Sequence, residues 1–367
     1  MTTTDIPKTM KAVQVTAFNT PYKLTTIPVP ASLGPYDLLV KVAVASYCHT
    51  DGMVSSGVFG TALPCTASHE GSGTVISVGD SVRDFKSGDR VMCGLPLHPC
   101  GDCPDCTGPE TFRQYCTNVD GHVGVHVDGC FAEFVRVDSR TTVVLPDQIS
   151  FLSAAPLACA GRTVWRAVLQ AGLGKGQRLA TIGSGGGLGH LGVQMAKTLG
   201  LRVIGIDARD EGLELTRKNS ADVVLDARRE KKGVVEEVQK ATGGLGADAT
   251  LNLSDADGAA GLACAVTKMH GAMIQIAQPD DVKIPFHELV FRDIRVKGSL
   301  LCSKEESARL VKHVAEHGIQ LETNVFHGLD KIHELVDLVH TGRMTGKAVM
   351  VVDEEQMERE KQLDVKF

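Results

Sequence analysis

The stretch Arg178-Leu-Ala-Thr-Ile182-Gly183-Ser184-Gly185-Gly186-Gly187-Leu188-Gly189 decides the fold. An apolar, branched segment runs into a glycine cluster and then into the helix-periodic segment Leu188–Leu199, and the strand-like Arg202–Ile206 follows. Glycines let a chain turn tightly and let a pyrophosphate approach the backbone, while the helix start supplies unpaired N–H groups and a positive dipole end. The strict G-x-G-x-x-G spacing is not met. Gly183, Gly186 and Gly189 fit at three-residue intervals, with Gly185, Gly187 and Leu188 in the same loop. Asp207 closes the next strand, 18 residues after Gly189, near the position whose carboxylate accepts the ribose hydroxyls of a dinucleotide. A 2′-phosphate would meet that charge, so the reading is NAD rather than NADP; Arg209, two residues on, weighs against it.

Outward from this loop, strand- and helix-like segments alternate through Asp222–Leu225, Val234–Ala241, Ala249–Leu253, Gly258–Met269 and Met273–Ile276. That alternation predicts a parallel sheet covered by helices on both faces, an α/β class. The first 150 residues instead predict a β-rich domain, with strands near Lys11–Thr16, Leu39–Ala45, Thr74–Val78, Phe131–Val137 and Thr142–Leu145. Pro96–Gly129 has no periodicity and reads as a loop held by something other than a core. After Ile294–Leu300 come helix-like Lys304–His317 and Leu329–His340, the strand Ala348–Val352 and a charged tail read as a surface helix.

Composition narrows the function. The 367 residues suit two domains of ordinary size. With 38 basic and 44 acidic residues there is no positive surplus to neutralise a phosphate backbone, which argues against a nucleic-acid partner. No apolar run approaches the roughly 18 residues that would cross a bilayer, and the polar first residues lack a signal peptide's apolar stretch. A cytoplasmic location is therefore expected. Eleven cysteines, an odd count in a chain this long, suit thiols and metal ligands better than bridges.

Cys100, Cys103, Cys106 and Cys116 make C-x2-C-x2-C-x9-C. Two residues between thiolates let one turn present neighbouring sulfurs to a tetrahedral zinc, and four sulfurs close the site, which reads as structural; an iron–sulfur cluster is the alternative four thiolates allow, but it would need a redox role that nothing else in the sequence suggests. It would supply the cross-link that the loop lacks. Elsewhere stand Cys48-His49-Thr50-Asp51, His69-Glu70 in a turn before Thr74–Val78, and Cys159. No local spacing joins these three places, so periodicity alone does not assemble them.

With these motifs in order, followed by Cys159-Ala-Gly161, the glycine loop and Gly346-Lys-Ala348, the chain resembles the zinc-dependent alcohol dehydrogenases of the medium-chain dehydrogenase/reductase family over nearly its full length. The likeness is greatest to the shorter microbial branch. Ser68 stands where that family usually has Gly. The resemblance implies a GroES-like catalytic domain over 1–157 and 303–367, a Rossmann NAD-binding domain over 158–302, and an active site in the cleft between them. It implies a catalytic zinc on Cys48, His69 and Cys159 with Glu70 behind the metal, and Asp51 accepting the N–H of His69. Two zincs per chain and NAD(H) are the implied cofactors. His49 and Lys347 would face the pyrophosphate, Thr163 the nicotinamide, and Ser299 the cofactor as well. The implied activity is hydride exchange between an alcohol and an aldehyde or ketone, with Thr50 taking the alcohol proton. A homodimer or homotetramer is implied, paired through the edge strand near Ile294–Leu300.

The family often ends its proton relay with a His three residues after the hydroxyl; here that position is Met53. A weaker general-base contribution is expected. Leu95 stands where small-alcohol members carry a bulky aromatic, and Phe59, Leu300 and Cys65 are further pocket candidates, so substrates larger than ethanol are expected. His98, His122 and His126 beside the cysteine lobe read as solvated loop residues. A polyol or formaldehyde-type dehydrogenase, a zinc-free reductase and a non-catalytic paralogue are the competing readings; metal content separates the last two from the first.

Overall fold

The computed structural model describes residues 6–363, 365 and 366. They form two compact units, one drawn from Met1–Ala160 and Cys302–Phe367, the other from Gly161–Leu301.

The first unit is built on Asp37–Ser46, whose alternating side chains are buried on both faces. Leu38, Val40 and Val42 enter the main core with Val75, Val91, Phe131 and Met350. Leu39 points to a second, smaller cluster with Met10, Ala12 and Phe134. The sheet runs Val143–Val144, Arg90–Met92, Glu70–Val78, Asp37–Ser46, Lys347–Val351, Thr323–His327, with Phe134–Asp138 also pairing with Asp37–Ser46. The C-terminal strand thus lies antiparallel to the central one, Val349 opposite Ser46, which ties the last part of the chain to the first. A separate three-stranded sheet is made of Lys23–Pro28, Thr9–Val15 and Cys65–Thr66.

Three features differ from the expectation. Glu70 does not lie in a turn: the strand begins there, and His69 occupies the bend just before it. The glycines that imitate a turn are there for close packing, since a Cβ on Gly73 would stand 2.1 Å from the Lys41 carbonyl and one on Gly71 2.4 Å from Cys130 Sγ. Lys23–Pro28 is a strand that periodicity missed because its side chains are largely exposed and polar. Pro96–Gly129 is not wholly irregular: Pro96–Leu97 pairs with Gly121–His122 and closes the lobe at its base, and helical turns occupy Pro104–Thr107 and Glu110–Tyr115. The tail does carry a helix, Glu354–Glu360, but its last side chain turns inward, where Glu360 accepts from Arg90 and from the Phe151 N–H.

The second unit is a six-stranded parallel sheet in the order Val223–Asp226, Arg202–Asp207, Arg178–Ile182, Ala247–Asn252, Thr267–Gln275, Arg295–Gly298. Counted along the unit this is 3-2-1-4-5-6, so the order reverses beside Arg178–Ile182, and the glycine loop leaves that strand at its carboxyl end. Open α/β sheets bind ligands at such a point. Helix Gly189–Thr198 follows the loop and Asp210–Lys218 follows Arg202–Asp207.

The structure reassigns the glycines of the loop. Gly183 has φ +79°, which favours glycine. A Cβ on Gly189 would stand 2.1 Å from the Gly183 carbonyl, and one on Gly185 2.0 Å from the Gly212 carbonyl on the next helix. Gly186 meets nothing nearer than 3.3 Å. The constrained positions are therefore Gly183, Gly185 and Gly189, not Gly183, Gly186 and Gly189. Gly185→Ala is expected to cost about 1–3 kcal/mol by overpacking and to lower the melting temperature, whereas Gly186→Ala changes it little. Equal losses in thermal unfolding would refute this assignment.

Candidate active site

Cys48 caps helix His49–Ser55 with β-region φ/ψ, and Asp51 completes a capping box by accepting the Cys48 N–H at 2.8 Å. The other Asp51 oxygen accepts the Ser68 N–H at 2.9 Å. One buried carboxylate thus fixes the backbone of Cys48 and of the residue before His69. Cys159 sits in a single π-helical turn, Leu157–Gly161, a local widening frequent at functional sites. One ligand atom from each of Cys48, His69, Glu70 and Cys159 lies within 4.8 Å of every other, although the residues come from three distant parts of the sequence.

The expected hydrogen bond from His69 to Asp51 is not made. The ring Nδ1 stands 3.9 Å from Asp51 Oδ1, because that carboxylate is committed to the two backbone N–H groups. Asp51 acts on His69 through its field. Burial works against a charged imidazole, but Asp51 and Cys48 prevail and push it up to about 9. The hydrogen bond from Cys159, with Lys347 and His69 nearby, holds the Cys48 thiol well below the ordinary range, and the same bond raises Cys159.

Lys347 is also placed differently from the expectation. It is buried, donates to the Tyr47 carbonyl at 2.8 Å and pairs with Glu70 Oε2 at 2.7 Å. Burial opposes its charge, yet Glu70 and Cys48 raise it above the ordinary lysine value. Its ammonium balances the carboxylate rather than facing an open phosphate site. Glu70 Oε1 accepts the Ala160 N–H at 3.1 Å, so Glu70 and Lys347 together brace the turn that carries Cys159. Removing either partner would leave an uncompensated buried charge.

The cluster fits zinc by its own chemistry. Both ring nitrogens of His69 are buried without a hydrogen-bond partner, an arrangement a metal ligand relieves. Two sulfurs and an imidazole match zinc's preferred donors. Thr50 lies beside the cluster, its Oγ1 4.0 Å from Cys48 Sγ, and Met53 is half-buried on the same short helix. His49, the first residue of that helix, is exposed.

Cys100, Cys103, Cys106 and Cys116 also gather within 4.8 Å, with sulfur separations of 3.6 Å for Cys100–Cys116 and 3.8 Å for Cys103–Cys116. Among the described residues no cysteine is in a disulfide. His98 is not a solvated loop residue. Its two ring nitrogens stand 2.6 Å from the buried Asp37 and from Asp120, and its backbone N–H donates to Asp138, so it clasps the start of the lobe to the central strand. The charge-bearing ends of that clasp are not periodic in sequence, which is why the signal was missed. His122 and His126 tilt toward each other at 5.5 Å, and His126 meets Phe59 edge-on. Leu95 and Cys65 are buried in the first unit, while Leu300, in the second unit, is exposed.

In the second unit Asp207 is buried at the end of its strand. Its Oδ2 accepts the Gly185 N–H at 2.9 Å and its Oδ1 the Arg209 N–H at 3.0 Å. The helix after the loop begins at Gly189 with Leu188 as its cap. Thr163 is buried in helix Arg162–Gln170, and Ser299 follows the edge strand.

The alcohol dehydrogenase GroES-like domain model matches residues 34–147, and the zinc-binding dehydrogenase model matches residues 187–316. An alcohol dehydrogenase of Geobacillus stearothermophilus is 31% identical over 94% of this chain and 100% of its own length. An NAD-dependent alcohol dehydrogenase of Sulfurisphaera tokodaii is 29% identical over 93% of this chain and 100% of its own. The crystal structure of the Aeropyrum pernix alcohol dehydrogenase superposes with a TM-score of 0.85 at 29% identity, covering 93% of this chain and 99% of that one.

Purified protein is expected to carry two zinc ions per chain by elemental analysis. Cys103→Ser should leave one and lower the melting temperature. A preparation that keeps two zincs in the variant would remove Cys103 from the ligand set.

Proposed function

The chain belongs to the zinc-dependent alcohol dehydrogenases of the medium-chain dehydrogenase/reductase family, and from that premise we propose that it interconverts an alcohol larger than ethanol with its aldehyde or ketone, using NAD(H). The observation that carries this reading is the meeting of Cys48, His69 and Cys159, with Glu70, within 4.8 Å. When bound, zinc supplies Lewis acidity toward the alcohol oxygen and NAD supplies the hydride acceptor.

The chain's own residues have the following parts. Cys48, His69 and Cys159 hold the metal. Glu70 spends its oxygens on Lys347 and the Ala160 N–H, so the three-ligand set leaves room for substrate. Thr50, the second residue of the short helix, accepts the alcohol proton at Oγ1 as its own hydroxyl proton leaves to water, since Met53 cannot take it. Asp51 keeps Cys48 in place through its own N–H and His69 through the N–H of the preceding Ser68. Cys100, Cys103, Cys106 and Cys116 hold a second, structural zinc. Gly183, Gly185 and Gly189 let the dinucleotide's pyrophosphate approach the main chain, and Asp207 serves the adenosine ribose. Thr163, Ser299 and His49 complete the cofactor contacts. The larger substrate is read from Leu95, an aliphatic side chain with Phe59 as its companion in the pocket.

A homo-oligomer is part of this reading. The edge strand Arg295–Gly298 is exposed along its whole length, and Phe286, Val290 and Phe291 beside it are 70%, 69% and 65% exposed. An unpaired edge with apolar neighbours is closed by pairing with a second copy. The cysteines, none of them in a disulfide, suit a reducing compartment, and we place the protein in the cytoplasm.

NADH absorbance over a panel of straight-chain, benzylic and cyclic alcohols should rise more for the larger members than for ethanol. Thr50→Val should lower kcat by about 10²-fold or more with zinc content unchanged; undiminished turnover would dismiss Thr50 from the reaction. Met53→His should alter the pH dependence of kcat, and a profile that overlays the parent's rules out a missing relay group. Phe291→Glu should shift the chain toward monomer in sedimentation; an unchanged sedimentation coefficient means the apolar edge is not the interface.

A further inference from the structure

The residue before His69 is held in a backbone conformation that a serine seldom adopts. Ser68 is fully buried with φ +71°, in the left-handed region that favours glycine. A side chain persists there only where its surroundings over-determine it. Each polar group of Ser68 is engaged. Its N–H donates to Asp51 at 2.9 Å, and its carbonyl accepts the Cys130 N–H at 2.7 Å. Its hydroxyl donates to the Ser46 carbonyl at 2.9 Å, with the Glu70 carbonyl at 3.2 Å as a second acceptor, and accepts the Glu70 N–H at 3.3 Å.

The peptide between Ser68 and His69 is also packed against backbone from the segment that leaves the cysteine lobe. A Cβ on Gly124 would stand 2.3 Å from the Ser68 carbonyl carbon and 2.6 Å from the His69 nitrogen, and one on Gly129 would stand 2.2 Å from the Ser68 oxygen. With its carbonyl bonded and this backbone against it, the peptide has no room to rotate, and its direction sets where the His69 side chain starts. The hydroxyl then reaches toward the other ligand. Ser46 ends the central strand opposite Glu70 and leads through Tyr47 into Cys48. The hydrogen bond from Ser68 to Ser46 therefore joins the segment carrying Cys48 to the one carrying His69. Asp51 joins the same two segments through the Cys48 and Ser68 N–H groups. Two ties at different points fix a relative placement that a single tie would leave as a hinge.

We propose that Ser68 is a positioning residue for the catalytic metal: its buried hydroxyl locks the left-handed turn before His69 onto the strand end before Cys48, so that the chain releases this zinc more slowly than it would without the hydroxyl. The inference rests on the reading of Cys48, His69 and Cys159 as a zinc site and adds a residue that acts through two of those ligands. A hydrogen-bonding group that orients a metal ligand contributes to the affinity for the metal without touching it.

The test is the rate of zinc release from the zinc-loaded full-length protein into the chromophoric chelator pyridylazoresorcinol, well below the melting transition, for wild type, Ser68→Ala and Ser68→Gly. Cys48→Ser and Cys103→Ser identify which kinetic phase belongs to the cluster and which to the lobe. Ser68→Ala loses the hydroxyl and keeps the Cβ at its unfavourable φ. Ser68→Gly loses both and suits the φ, so it carries the test if Ser68→Ala does not fold. Each variant is expected to release the cluster zinc about tenfold faster than wild type, with the lobe zinc leaving at the wild-type rate. Release of the cluster zinc at the wild-type rate from either folded variant overturns the proposal, because the hydroxyl is then dispensable. An equal acceleration of both phases also overturns it, because that marks a general loosening of the unit. If Cys48→Ser still carries two zincs, the cluster reading fails and this inference with it. If Cys48→Ser carries one zinc and Ser68→Gly releases at the wild-type rate, the inference alone fails.

Discussion

The catalytic unit depends on the balance of charge around one buried cluster. Two thiols, an imidazole and two carboxylates are packed together, all of them buried but the half-buried Cys159, and such a set is tolerable only with compensating positive charge. Lys347 supplies one part of it, through its ion pair with Glu70. The negative field of Asp51 and Cys48, strong enough to raise His69 against its burial, favours a cation at the centre of the cluster. A divalent ion is the species that meets both the charge and the donor set. The backbone arrangement follows from the same need. Asp51 is spent on the N–H groups of Cys48 and Ser68, and Glu70 on that of Ala160, so each ligand-bearing segment is anchored by a buried acid rather than by periodic packing.

The cysteine lobe solves a different problem. It contributes few apolar side chains, so its order comes from its four sulfurs, from the short pairing of Pro96–Leu97 with Gly121–His122, and from His98 held between Asp37 and Asp120. Asp37 begins the central strand of the sheet, so the clasp fastens the lobe to the most deeply packed element of its unit.

In the nucleotide-binding unit, geometry again rests on close approach. The Gly185 loop and the helix beginning at Asp210 meet backbone to backbone at Gly212, and Asp207 is wedged behind them. That crowding orients the carboxylate, which accepts the Gly185 and Arg209 N–H groups.

Much of this was legible in the chain itself. The strand–glycine–helix stretch at Arg178–Gly189 and the alternation after it specify a parallel sheet, because periodicity is a local property. Cys100, Cys103, Cys106 and Cys116 declare a metal site, because the spacing of two residues is already the geometry of a turn. Cys48, His69 and Cys159 were joined only through family resemblance, since nothing local links positions so far apart; folding brings them within 4.8 Å. What the chain could not reveal were the partners of polar side chains. Asp51 bonds two backbone N–H groups and not His69, Lys347 faces Glu70 and not a phosphate, and His98 is clasped rather than solvated. Gly71 and Gly73 look like a turn and are a strand, because only the neighbouring strand and Cys130 require their missing side chains. Patterns along a chain record which faces are buried, whereas the partner of a charge or the reason for a glycine depends on atoms contributed from elsewhere in the sequence.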